Sequence, residues 1–289
     1  MLEVVDCRLL EHIVENVRGD ETSDNNIILF RKLQVLKLVN LPSLTSFWCY
    51  QSRKANTCKV AFRFLRLSSI VLKYLPDLKS FFHGANYEFH MPRISRVIIR
   101  KCGLSNTLFT RSVFRNLRTL HDLTVFDCEF LEGIFEDAKC EETLDMIDKI
   151  ITLDQVSIIH LEGLPKLKSI FFGATYECYM PSLKYVNIIG CGLSVLFTYS
   201  VFREIQQIEK LHVSNCESLE RIVEEVGGDE TSEENCKSIT LFRLSSITLQ
   251  FLPNLKSFGC ASSYVFNMPK LQNFRLIKCP QIEYSVPKK

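Results

Sequence analysis

Six of the twelve cysteines in this chain of 289 residues stand at one position of a recurring phrase: Cys7, Cys102, Cys128, Cys191, Cys216 and Cys279. Ionised thiols are nucleophiles and soft metal ligands, so they are the first candidates for chemistry. No two cysteines have C-x-x-C spacing, which argues against zinc and thioredoxin-like exchange. Neighbours such as Cys102 and Cys128 stand near enough for oxidation. A fixed repeat position nevertheless predicts buried, reduced, structural thiols of an intracellular protein.

Histidine comes next. His160 and His212 fall on exposed positions two copies of the phrase apart, roughly 10 Å by strand spacing. That suits a ligand site or a pH sensor but is too wide for one shared metal. Three acidic stretches, 11–24, 136–148 and 224–234, concentrate carboxylates without the ligand spacing of a calcium loop, and read as solvated convex loops. The chain has no G-x-x-x-x-G-K-S/T phosphate loop, no G-x-S-x-G elbow and no H-E-x-x-H pair. Gly190-Cys191-Gly192 is half of a dinucleotide fingerprint in the wrong setting. The expectation is a protein without cofactor, metal or catalytic constellation, and not an enzyme.

The elements that carry these residues repeat. Leu120-x-x-Leu123-x-Val125-x-x-Cys128, Val156-x-x-Ile159-x-Leu161-x-x-Leu164 and Leu183-x-x-Val186-x-Ile188-x-x-Cys191 are three copies of L-x-x-L-x-L-x-x-C/L. The stretch 120–207 returns 88 residues later in 208–289, with Cys128 recurring as Cys216 and Cys191 as Cys279. Ten copies run from Leu2/Val4 to Phe274/Leu276. Period-two alternation makes each a short strand with one buried face. Connections of this length impose parallel pairing, and repetition on this scale means a solenoid. The reading is one α/β solenoid over residues 1–289, about ten irregular repeats with a parallel sheet on the concave face. On the convex face, apolar spacing in 108–120 and 196–208 predicts short amphipathic helices, whose Phe pairs are core. Leu-Pro-x-Leu-Lys-Ser-Phe at 75–81 and 252–258, and its relative at 164–170, predicts a loop pinning two apolar residues under the sheet.

Balanced charge, 35 basic against 33 acidic residues, argues against nucleic acid and acidic membranes in general. Met1–Asp6 is not a signal peptide, no apolar run spans a membrane, and no N-x-S/T sequon occurs; the expected location is the cytoplasm. The charge is nevertheless unevenly placed. Lys37, Lys73, Arg96, Arg100, Lys101, Lys184, Lys210, Arg275 and Lys278 fall on the concave side, against Glu3, Asp6, Asp122, Asp127, Glu162 and Glu209. Arg96, Ile98, Arg100 and Lys101 are its densest part. The bland reading is a mixed solvated face; the sharper one is a dock for an acidic protein patch. The exposed aromatics Tyr74, Phe126, Tyr185 and Phe251 are scattered singly, so no aromatic row interleaves the basic residues for a nucleic-acid strand. The uncapped ends at Leu2 and Phe274 invite self-association.

Three phrases resemble the C-terminal leucine-rich repeats of plant coiled-coil NB-ARC-LRR immune receptors. They are Leu211-x-Val213-x-x-Cys216-x-x-Leu219-Glu220-x-Ile222-Val223, echoed at Leu2–Val14 and Leu123–Ile134; Leu-Pro-x-Leu-Lys-Ser-Phe; and Met-Pro-x-L/I-x-x-V/F-x-I/L-x-x-Cys at 91–102, 180–191 and 268–279. The resemblance covers nearly the whole chain. It implies a recognition module in defence that senses a pathogen effector or a guarded host protein and contacts the receptor's NB-ARC domain. The coiled coil and phosphate loop of such receptors are missing from this sequence. The alternative is a stand-alone repeat scaffold, adaptor or decoy.

Overall fold

The computed structural model describes residues 1–15, 26–49, 60–81, 87–110, 113, 117–135, 150–171, 177–224, 237–259 and 264–282. Ten strands build the concave face: β1 Leu2–Val5, β2 Val35–Val39, β3 Ser69–Leu75, β4 Arg96–Cys102 and β5 Asp122–Phe126, then β6 Ile158–Leu164, β7 Tyr185–Cys191, β8 Lys210–Ser214, β9 Ser246–Gln250 and β10 Asn273–Ile277. They form a single parallel sheet in chain order. Every strand predicted from the repeat phrase is present, and the phrases align. Leu2 stands beside Leu36, Ile70 beside Val97, Val97 beside Leu123, and Ile247 beside Phe274.

That register follows from burial. The paired apolar residues of β2 to β9 are at most 2% exposed, and each contributes roughly 1.5–3 kcal/mol on burial. A slip by one residue would turn all of them to solvent. The end coils lack a neighbour on one side. Phe274 is 52% exposed, and Leu2 and Val4 are only partly buried.

Each of the ten strands has a left-handed residue next to its C-terminal end, either just past the strand or one before its last residue: Asp6, Asn40, Tyr74, Lys101, Asp127, Gly163, Gly190, Asn215, Phe251 and Lys278, with φ between 51° and 66°. This conformation costs a non-glycine residue about 1–2 kcal/mol. It persists because it turns the chain under the sheet while keeping the amide in the ladder. Asn40 N–H donates to Lys73 O at 2.9 Å, Asp127 N–H to Glu162 O at 2.8 Å, and Phe251 N–H to Ile277 O at 2.8 Å. Gly190 belongs to this column, which accounts for the half fingerprint. Gly192 answers a different demand, since a Cβ there would lie 2.1 Å from Pro165 O of the preceding coil.

The turn then buries the phrase's last residue. Cys102, Cys128, Cys191, Cys216 and Cys279 are buried, as predicted, whereas Cys7 in the first coil is exposed. The Leu-Pro loops pin their apolar residues as expected: Leu78, Phe81, Leu167, Ile170 and Leu255 are buried.

The convex side carries helix where it was expected in 196–208, and strand beside it. The helix α1 Tyr199–Glu204 has its first turn capped by Thr198 Oγ1 accepting from Val201 N–H at 3.4 Å, and Val113, within 108–120, is helical too. Leu108 and Phe109 lie instead in the strand Asn106–Phe109, and Leu196 and Phe197 in the strand Val195–Thr198. Coils stacked in register bring any extended convex segment beside its counterpart, so short parallel ladders form there too. Asn106–Phe109 pairs with Leu131–Phe135, and Asn26–Phe30 with Val60–Phe64. Their rings stack in turn, Phe30 on Phe64 at 4.7 Å and Phe109 on Phe135 at 5.6 Å. Phe109, Phe197 and Phe202 are core; Phe114 lies outside the described residues, as do most of the acidic stretches 11–24, 136–148 and 224–234. No described helix is long and apolar enough to cross a membrane.

Candidate protein-docking face

The concave side chains form rows that run across the strands. The central row reads Glu3, Lys37, Val71, Ile98, Thr124, His160, Asn187, His212, Thr248, Arg275. Lys73 of β3 faces Arg100 of β4 in the next row. The structure therefore gathers Lys73, Arg96, Ile98, Arg100 and Lys101 on two adjacent strands. Lys37 lies one strand further out, on β2. Arg275 and Lys278 sit at the far end of the sheet, six strands from β4 or roughly 29 Å by strand spacing. Lys184 and Glu209, read from sequence as concave, immediately precede β7 and β8 and lie on the rim.

Neighbouring coils answer many of these charges. Arg96 Nε is 3.3 Å from Asp122 Oδ2, and Arg100 Nε is 3.6 Å from Asp127 Oδ2. Lys37 Nζ meets Glu3 Oε1 at 2.5 Å. Exposed pairs of this kind contribute at most about 1 kcal/mol. Lys73 has no ion-pair partner among the described residues. Four cations thus face two carboxylates around the half-buried Val71 and Ile98. The surplus is positive and the floor apolar, a surface that suits a partner presenting carboxylates beside an apolar side chain.

The exposed aromatics are scattered along the chain but not isolated in space. Lys101 lies over Tyr74 at 6.0 Å, Arg100 over Phe126 at 5.8 Å, Lys210 over Tyr185 at 5.7 Å and Lys278 over Phe251 at 5.1 Å. Each ring has a cation of an adjoining strand over it, so aromatic and basic residues of the face come in pairs that join neighbouring coils. Sequence reasoning missed these pairs because their members stand about 25 residues apart. Aligning consecutive copies of the phrase would have found them. It also missed Phe130, exposed on the lower rim with Lys79 Nζ at 5.6 Å and Lys166 Nζ at 5.0 Å.

His160 and His212 lie on β6 and β8 with Asn187 of β7 between them. Asn187 Nδ2 is 2.9 Å from His160 Nε2, and Glu162 Oε2 is 3.4 Å from the same nitrogen. Burial, and then the charge of His160, hold His212 below the usual histidine range. No cluster among the described residues has the composition of a metal site. Burial pushes the thiols of Cys102, Cys191 and Cys216 up, whereas a hydrogen bond from Cys102 lowers Cys128. A depression of about 440 Å³ beside the Arg96–Asp122 pair is lined by Ser95, Arg96, Thr119, His121, Asp122 and Gln155. Its polar lining does not resemble the apolar pockets that hold small ligands.

Parallel strands stacked on a repeating leucine phrase, with a broad concave surface, define a leucine-rich-repeat solenoid. A family model described as plant disease resistance protein RPS2-like, leucine-rich repeats, matches residues 50–129, 88–217 and 174–289. These matches span most of the chain, and it belongs to that family. The first two matches end at Glu129 and Glu217, one super-repeat apart. Comparison with curated proteins and with solved structures found no match.

Proposed function

We propose that the chain is the recognition module of a plant intracellular immune receptor, and that it works in the cytoplasm by binding protein without turnover. Its target is a pathogen effector or a guarded host protein, and its second contact is the receptor's nucleotide-binding domain. Membership of the disease-resistance repeat family supports the setting. The observation that supports the mode of binding is the surplus of positive charge around Ile98, made by Lys73, Arg96, Arg100 and Lys101 on adjacent strands. Leucine-rich repeats generally bind proteins, and a patch with one sign of charge steers encounter and selects partners.

The test is a chimera. The repeats of a coiled-coil-class receptor are replaced by this chain and co-expressed in leaf tissue with effectors. Cell death that requires an effector, and is lost with Arg96→Glu, Arg100→Glu and Lys101→Glu together, supports the proposal. Cell death indifferent to those reversals refutes it.

A further inference from the structure

The convex segments leading into β2, β3 and β4 carry charge that the fold leaves unanswered. Three extended pieces run side by side there, Asn26–Phe30, Val60–Phe64 and Tyr87–His90. Leu29 pairs with Arg63, and the register continues to Arg31 and Leu65, whose N–H donates to Phe30 O at 3.3 Å. Lys32, Arg66 and Arg93 then form one column, each just before an apolar anchor, Leu33, Leu67 and Ile94. The coils are held in step there by Ser68 N–H donating to Gln34 O and Ser95 N–H to Ser68 O, both at 2.8 Å. Arg31, Arg66 and Arg93 line a depression of about 420 Å³, with Leu29 and Leu65 as its other walls. All five side chains are exposed, the two leucines by 40% and 39%.

On the concave face Arg96 and Arg100 each meet a carboxylate of the next coil. Among the described residues, Arg31, Lys32, Arg63, Arg66 and Arg93 meet none. Glu88 is the single carboxylate of the three segments, and it stands beside Ala61. Like charges on adjoining strands are unfavourable, and the repeat does not demand them. The column of Arg66 and Arg93 continues as Thr119, Gln155, Ser182 and Gln207 in the next four coils. Arg243 and Lys270 resume it in the last two, but the counterparts of Arg31 and Arg63 there are Gln206 and Thr240. The full cluster therefore belongs to one place on the solenoid, and its charge is matched only by an anion from outside.

We propose that this depression binds a phosphorylated serine or threonine of a partner protein. Arg66 and Arg93, roughly 4.8 Å apart by strand spacing, grip the phosphate, Arg31 closes on it from the preceding coil, and Leu29 and Leu65 hold an apolar neighbour of the modified residue. A phosphate carries nearly two charges and three strong acceptor oxygens, which guanidinium forks take in bidentate geometry. A carboxylate carries one charge and leaves most of the cluster unanswered. Arginine clusters are a recurring means of reading phosphorylated motifs. The depression lies apart from the patch around Ile98, so this binding is independent of the function proposed for that patch.

The test is fluorescence anisotropy of the 289-residue chain with three labelled peptides, identical except that a central position flanked by leucines is phosphoserine, Glu or Ser. The phosphoserine peptide is expected to bind about tenfold or more tightly than the Glu peptide. Arg66→Gln with Arg93→Gln, verified as folded by circular dichroism, removes that preference, whereas Arg96→Glu with Arg100→Glu leaves it. Phenylglyoxal labelling mapped by mass spectrometry should show the phosphoserine peptide shielding Arg66 and Arg93 and not Arg275. No binding of the phosphoserine peptide at millimolar concentration, equal affinity for the Glu peptide, or an Arg66/Arg93 variant that keeps the preference overturns the proposal. So does capture of the chain by phosphatidylcholine vesicles only when they contain phosphatidylserine, if the Arg66/Arg93 variant loses it and the phosphoserine peptide does not compete, because the cluster would then face a membrane surface.

Discussion

Replacing Gly192 by alanine tests how the coils interlock. A Cβ at this position would sit 2.1 Å from Pro165 O and 2.9 Å from Pro165 C, both backbone atoms of the preceding coil. Real Cβ contacts essentially never fall under 3.0 Å, so the carbonyl must retreat by about an ångström, which no rotamer change can supply. The retreat strains the bond from Gly192 N–H to Leu164 O, now 3.1 Å. Overpacking costs about 1–3 kcal/mol, and an orphaned buried carbonyl about 1–3 kcal/mol more, so a loss of roughly 3–5 kcal/mol is expected. Gly190→Ala is the control. Its φ of +61° is unfavourable to alanine, but the nearest atoms to a Cβ stand 3.8 Å and 3.9 Å away, so only the backbone penalty of about 1–2 kcal/mol applies. The assay is urea unfolding followed by far-ultraviolet circular dichroism, comparing midpoints at unchanged m. Gly103→Ala should repeat the large effect, because its Cβ would lie 1.8 Å from Pro76 O. If Gly192→Ala unfolds at the same midpoint as Gly190→Ala, the interlocking of the Leu-Pro turn with the next coil is refuted.

Other outcomes follow from the same geometry. A brief alkylation pulse mapped by mass spectrometry should modify Cys7 and spare Cys102, Cys128, Cys191, Cys216 and Cys279, which are buried; rapid labelling of Cys191 would contradict the core assignment. His212 gives a pH dependence with a definite sign. His212 is held below its ordinary value, so the unfolded chain takes up the proton first and stability declines as pH falls below about 6.5. His212→Gln should flatten the profile of thermal midpoint against pH between neutral and mildly acidic solution, and an unchanged slope would exclude His212 as its source. Glu132 Oε2 and Glu220 Oε2 meet Lys168 Nζ at 2.6 Å and Lys256 Nζ at 2.8 Å. Glu132→Gln should move the unfolding midpoint little, and less at high salt, because the pair is exposed.

The concave strands were legible because burial alone dictates them. Leu36 and Leu38 must face inward, and the same pair recurs at every copy. The buried cysteines were legible for the same reason, and Cys7 departs because its coil has only one neighbour. The convex side was less legible. Leu108 and Phe109 have helical spacing with Val113, yet extended segments in stacked coils complete one another's backbone hydrogen bonds, and that tertiary supply outweighs local periodicity. Glycine presented a related difficulty. Gly190 and Gly192 are two residues apart, but one is there for a positive φ and the other for a close backbone approach.

The docking residues were identified by type and row, but their partners were not. Arg96 with Asp122, Arg100 with Phe126 and Lys101 with Tyr74 are contacts between coils. They depend on register, which no local window of sequence displays. The Glu of Cys-x-x-Leu-Glu and the Lys of Leu-Pro-x-Leu-Lys are a case in point: Glu132 and Lys168 meet across adjoining coils although each phrase is read alone.

Under the function proposed above, the concave patch around Ile98 carries recognition. It is tested most directly by the affinity of one purified effector or guarded protein for two matched variants. The first reverses Arg96, Arg100 and Lys101 to Glu on the concave face. The second reverses Lys166 and Lys168 to Glu on the rim of the Leu-Pro turn. The concave variant is expected to bind about tenfold or more weakly, with the rim variant close to the parent. A rim variant that loses binding while the concave variant keeps it would contradict the account.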